Sequence, residues 1–189
     1  MDAIWIVLGA VALVLVFFVV LYNRMVALKQ RRNNAFSDID VQLKLRHDLI
    51  PNLVETVKGY ASHEKELMEN VTKARATAMS GGAISDRVPA EAALGAAVMK
   101  LMAVAENYPQ LKADTNFLQL QTELSDIENK IAAARRFFNN ATSEFNTAIQ
   151  QFPAVLIAGM FGFREEIFFE LSAEEKEAVK EAPKVSFGA

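Results

Sequence analysis

Twenty consecutive residues without a charge, Ala3 to Tyr22, constrain this chain more than any other feature. As a helix rising about 1.5 Å per residue they cover about 30 Å, the thickness of a bilayer's hydrocarbon core. Trp5 and Tyr22 stand near the two ends, where amphipathic rings favour the headgroup level. A cleaved signal peptide fits poorly. Met1-Asp2-Ala3 is not a basic leader, the apolar core is too long, and no small-x-small cleavage site follows. The expectation is a retained transmembrane helix over residues 1–22. Its many Val and Ile residues do not oppose this, because backbone polar groups in lipid must bond within the helix.

Flanking charge sets the expected orientation. Asp2 precedes the span, whereas Arg24, Lys29, Arg31 and Arg32 follow it. Basic residues favour the cytoplasmic side, so a short external N-terminus and a cytoplasmic soluble domain are predicted. The same basic residues, with Trp5 and Tyr22, are the candidate membrane-interface set, with lipid headgroups as their partner. Read as a nucleic-acid surface they lack stacking aromatics, and a net charge of −3 supplies no global field for a polyanion.

Beyond the span the apolar positions recur at steps of three and four. Phe36, Ile39, Leu43, Ile50, Leu53, Val57, Tyr60, Leu67 and Val71 form one stripe, with Arg46 and Glu64 filling its two vacant positions. This pattern predicts one helix over residues 23–78, packed against other long helices. Pro51 lies within it and predicts a kink rather than a break, because the stripe keeps its phase across the proline. The breaker-rich residues 79–89 predict a loop, and a second helix follows from about Ala90 to Tyr108, stopped by Pro109. Asp114 or Thr115 caps a third, reaching about Gln151 with a stripe from Phe117 through Phe138 and Phe145 to Phe152. The apolar run 154–163 is too short to cross a bilayer; it reads as a helix covering the core, or as a membrane-surface contact. Residues 166–189 form an acidic tail in which Ser172 and Glu175 fit a capping box. The fold class is therefore all-α, with no alternating runs that would suggest strands.

The predicted helices differ greatly in length, about 84, 29 and 57 Å, so they overlap fully along only part of their course. The seam Phe36, Ile39, Leu43, Ile50, Leu53 and Val57 then has two readings: burial within the chain, or pairing with a second copy in a homo-oligomer.

The search for chemistry is short. Cysteine is absent, which removes disulfides, thiolate metal sites and cysteine nucleophiles. The two histidines, His47 and His63, lack the Glu-x-x-His spacing of bundle metal sites, and no phosphate loop, dinucleotide fingerprint or nucleophile elbow is present. No catalytic, cofactor or metal residue is assigned, and no small-molecule substrate is expected. The polar residues on the seams, Arg46, Glu64, Glu128 and Arg135, read as groups that fix helix register.

The words Ser37-Asp38-Ile39-Asp40-Val41-Gln42-Leu43-Lys44 and Arg46-His47-Asp48-Leu49-Ile50-Pro51-Asn52-Leu53 resemble those of the LemA family. So do Ala105-Glu106-Asn107-Tyr108-Pro109, Glu128-Asn129-Lys130-Ile131-Ala132, Phe145-Asn146 and Phe152-Pro153. Phe36 and Phe138 stand where Trp and Tyr are usual in that family. The resemblance covers about residues 20–165. It implies a bacterial protein whose N-terminal membrane helix continues into an up-and-down four-helix bundle over residues 23–165, with no established catalytic residues. Two functions are expected on these grounds: a non-catalytic membrane-anchored scaffold that self-assembles, or a monomeric accessory subunit of another membrane protein.

Overall fold

The computed structural model describes residues 2–169; the capping box at Ser172 and Glu175 lies outside them. Among the described residues every regular element is a helix: α1 (Asp2–Tyr60), α2 (Lys65–Met79), α3 (Ile84–Ala105), α4 (Pro109–Lys112), α5 (Thr115–Gln150) and α6 (Val155–Ala158). The chain divides into two compact units, residues 2–42 with 130–168, and residues 43–129.

The helix α1 is continuous for 59 residues, roughly 88 Å at the standard rise. Its first part is long and apolar enough to cross a membrane, and Ile4, Trp5, Leu8, Leu13 and Val16 are all exposed. Pro51 lies inside α1 without ending it.

The expected helix over 23–78 does not run through. It stops at Tyr60 and restarts at Lys65. Gly59 weakens the last turn, and the Glu64 amide bonds the Ala61 carbonyl to close a tight corner. The chain then folds back, because Arg75 of α2 reaches the His47 carbonyl of α1 at 2.7 Å. Periodicity hides this corner: Val57, Ala61, Met68 and Val71 are all buried, so the stripe continues across the turn as if it were helix.

The loop expected over 79–89 is also shorter. Gly81 and Gly82 adopt positive φ, 74° and 116°, and α3 begins at Ile84. The Ala83 carbonyl accepts from both the Asp86 and Arg87 amides, so the helix is under way before Pro89. That proline forfeits only the bond to the carbonyl of Ser85, an exposed residue that water can serve.

In the second unit one apolar core gathers Ile50, Leu53 and Val57 of α1, Met68 and Val71 of α2, Leu94, Val98 and Leu101 of α3, Leu111 of α4, and Phe117 and Leu124 of α5. Asp114 caps α5, its Oδ1 accepting from the Phe117 amide at 2.9 Å, while the Tyr60 hydroxyl donates to Oδ2 at 2.9 Å. The first unit has its own core of Met25, Phe145, Ile149, Ala154, Ile157 and Ala158. The stripe of α5 ends one residue pair early: the helix stops at Gln150, and Phe152, before the cis bond to Pro153, is 79% exposed.

Candidate functional site

Two polar constellations stand out, one in each unit. In the second unit Arg46 is buried to 2% exposure by its place on the α1 stripe. Its guanidinium Nη2 pairs with the Glu91 carboxylate and also donates to the Glu91 carbonyl at 3.3 Å, while Nη1 donates to Glu128 Oε1 of α5 at 2.9 Å. His47, also buried, lies 3.0 Å from Glu91 through Nε2. Burial pushes the Glu91 carboxyl up, but the hydrogen bond from His47 and the charges of Arg46 and His47 outweigh it. The net result holds the carboxyl below the usual carboxylate range. One arginine thus ties α1 to α3 and α5. Desolvating such a cluster offsets much of its Coulombic gain, so little net stability is expected from it.

The spacing search missed Glu91. Its signal was present, because Glu91, Leu94, Val98, Leu101 and Ala105 step by three, four, three and four along the buried face of α3. Glu64, on the other side, is half-buried at the α2 start and accepts from the Tyr108 hydroxyl at 3.3 Å. Arg135 is half-buried in α5, within the first unit.

Arg75 was also missed by sequence reasoning. A helical Pro51 has no N–H for the carbonyl four residues earlier, His47, and that oxygen needs another donor. The guanidinium of Arg75 supplies it.

In the first unit a strap crosses α5. Asn146, 8% exposed, donates to the Glu166 carbonyl and accepts from the Glu166 amide, both at 2.9 Å. Its amide therefore satisfies the backbone of a non-helical segment as a neighbouring strand would. Arg32 holds the same strap: its Nη2 lies 3.2 Å from the Ile167 carbonyl and 3.2 Å from Glu166 Oε2, its Nε donates to Thr142, and its guanidinium sits 4.8 Å from the centre of the Phe138 ring. Burial pulls the Arg32 guanidinium below its usual range, with Glu166 opposing. Arg32 was expected at lipid headgroups; it is instead 5% exposed, because residue 32 falls on the face of α1 that packs on α5. Of the other basic residues, Arg24 is exposed, Lys29 lies 3.6 Å from Glu166, and Arg31 pairs with Glu144 at 2.8 Å.

The strap brings the preceding turn onto the foot of α1. Tyr22 meets Phe161 and Phe163 with ring centres 4.9 and 5.7 Å apart. Trp5, at the opposite end of the apolar stretch, is 70% exposed.

The hydrophobic seam is used inside the chain. Ile39, Leu43, Ile50, Leu53 and Val57 are each at most 2% exposed, and Phe36 is half-buried with its ring 5.6 Å from that of Phe138. Of the two readings of the seam, burial within the chain is the one these exposures match. The helix α5 is long enough to accompany α1 where α2 and α3 are not. Among the described residues no group of three or more His, Asp or Glu side chains is placed to hold a metal.

A family model described as the LemA family matches residues 35–187. The Magnetosome protein MamQ of Magnetospirillum gryphiswaldense is 24% identical over 174 residues, covering 78% of this chain and 64% of that protein. Magnetosome protein MamQ 2 of Paramagnetospirillum magneticum is 24% identical over 175 residues, with 79% and 64% covered. Protein LemA of Metamycoplasma hominis is 27% identical over 166 residues, covering 85% of this chain and 75% of that protein. The chain thus spans a little under two thirds of the MamQ relatives, 64% of their length.

Proposed function

The chain belongs to the LemA family, and from that premise we propose that it is a non-catalytic, membrane-anchored helical scaffold or interaction protein. The observation that carries this reading is the continuity of α1. One helix holds a fully exposed apolar stretch at its start and supplies core residues such as Ile50, Leu53 and Val57 further on. No loop separates the apolar stretch from the part of α1 that enters a core, so anchor and soluble part share one element. Relatives named as magnetosome proteins support a role at a membrane-bounded structure.

In this reading the soluble helices form an up-and-down four-helix bundle on the cytoplasmic side of a bacterial cytoplasmic membrane, with the N-terminus outside. The basic residues after Tyr22 support that orientation. Homo-oligomerisation belongs to the scaffold version. The burial of the α1 seam leaves that version to other surfaces and favours the second reading, a monomer that docks on another membrane protein.

The test is the mass of the full-length chain in nanodiscs, beside a chain lacking residues 1–22. A defined multimer supports the scaffold. A monomer in both preparations, joined by one stoichiometric membrane protein on mild crosslinking, supports the accessory subunit. A full-length chain that stays soluble and ignores lipid defeats both.

A further inference from the structure

The anchor need not be the only part of this chain that meets lipid. From Phe145 to Phe163 there is no charged residue, and the end of this run carries a second exposed apolar face. Around α6 the side chains divide by helical spacing. Ala154, Ile157 and Ala158 point into the core of the first unit. Phe152, Val155, Leu156 and Met160 point outward, with exposures of 79, 48, 61 and 81%. Phe152, Leu156 and Met160 recur at steps of four and Val155 lies three after Phe152, so the four fall on one side of this turn.

The segment is held firmly. The Phe163 amide bonds the Ala158 carbonyl at 2.9 Å and the Gly162 amide bonds the Gly159 carbonyl at 3.3 Å, with Gly162 at φ 73°. This is a Schellman stop, and Phe163 packs against the core that contains Ala158. Asn146 and Arg32 then fasten the strap that follows. An apolar face fixed in this way cannot turn inward to escape water.

What covers it is indicated by its neighbour. Phe161 and Phe163 meet the ring of Tyr22, the last residue of the uncharged span. The exposed face therefore sits beside the place where α1 leaves the hydrocarbon, and charge resumes only at Arg24 on one side and at Arg164, Glu165 and Glu166 on the other. We infer that the turn from Phe152 to Phe161 is a membrane wedge, its apolar face seated in the interfacial layer of the same leaflet from which α1 emerges. The uncharged run lets it enter without desolvating an ion, and Arg24 and Arg164, both exposed, suit anionic headgroups at its rim. The chain then grips the bilayer at two places, by a span and by a wedge. Phe152, Val155, Leu156 and Met160 would displace lipid in one leaflet only, the geometry by which shallow insertions sense or impose curvature.

This inference rests on the reading of α1 as a membrane span, and one experiment separates the two. The chain has no cysteine, so single sites can be labelled with an environment-sensitive fluorophore in the full-length protein: Met160→Cys, Ala12→Cys and, as an exposed control, Lys130→Cys. Each is reconstituted in phosphatidylcholine and phosphatidylglycerol vesicles carrying nitroxide lipids of shallow or deep position. The label at 160 is expected to be quenched more by the shallow nitroxide, the label at 12 more by the deep one, and the label at 130 by neither. Quenching at 12 with none at 160 beyond the control overturns the wedge and leaves the span. No quenching at either overturns both. Met160 is 81% exposed, so labelling it leaves the core intact.

Discussion

Arg75 donates its Nε–H to the carbonyl oxygen of His47 at 2.7 Å, the acceptor that Pro51 strips of its helical partner. The bond spans 28 residues of sequence and pins the α1–α2 corner. Replacing Arg75 by Ala is expected to destabilise the protein by about 1.5–3 kcal/mol, the range for a hydrogen bond from a charged donor. In a Pro51→Ala background the restored amide at 51 serves His47, so the same substitution should cost much less. Unfolding of the four proteins, followed by circular dichroism in mild detergent, measures the coupling. Equal costs in both backgrounds would mean that Arg75 acts in some other way.

Arg46 and Glu91 form a buried ion pair whose members are costly to leave alone. Glu91→Ala is expected to lose about 3–5 kcal/mol, because Arg46 keeps its charge with only the partly exposed Glu128 opposite. The double replacement Arg46→Met with Glu91→Leu should be closer to wild type in stability. Denaturant titration of both variants decides this, and a double variant no better than Glu91→Ala would mean that the ion pair itself stabilises the fold.

Acid should act on the same pair. The folded-state carboxyl of Glu91 lies below its unfolded value, so its contribution is complete above the ordinary carboxylate pKa of about 4.3 and is lost as pH falls through the folded value. The stability difference between wild type and Glu91→Gln should therefore shrink as pH drops from neutral through the carboxylate range. A difference that stays constant across that range would contradict the assignment.

Asn146→Leu keeps the volume near that of the amide but removes both bonds to Glu166. Hydrogen exchange at residues 165–167 should quicken and cleavage after Arg164 by trypsin should accelerate, while the helicity of α5 is retained. Asn146→Asp should give an intermediate result, since it keeps the acceptor for the Glu166 amide and loses the donor.

The proposed orientation has its own check. A cysteine replacing Asp2 should react with a membrane-impermeant maleimide in intact cells, and one replacing Lys130 should react only after lysis. The reverse pattern would put the soluble part outside.

How much was legible beforehand varied with the range of the interaction. The uncharged run and the helical stripes are local, and the sequence shows them directly; the choice of Asp114 over Thr115 as the cap of α5 came from the structure. The corner at residues 61–64 was illegible because a stripe of period three and four looks the same through a tight turn that preserves the buried side. Glu91 could have been found by extending the α3 stripe one step past Leu94. Its partner could not, since nothing local says which buried cation faces a buried carboxylate. Asn146 stood in a recognisable word, Phe145-Asn146, yet its task depends on a segment 20 residues later.

By itself the sequence determined that the chain is helical and that it begins with an apolar helix of membrane-spanning length, because charge exclusion and periodicity act within a few turns. The tertiary structure alone decided that α2 turns back on α1, that the α1 seam is filled from within the chain, and that the turn after α5 lies against Tyr22. Each of these depends on which of several similar apolar faces meet, a choice made by long-range packing and by single bonds such as that of Arg75 to His47.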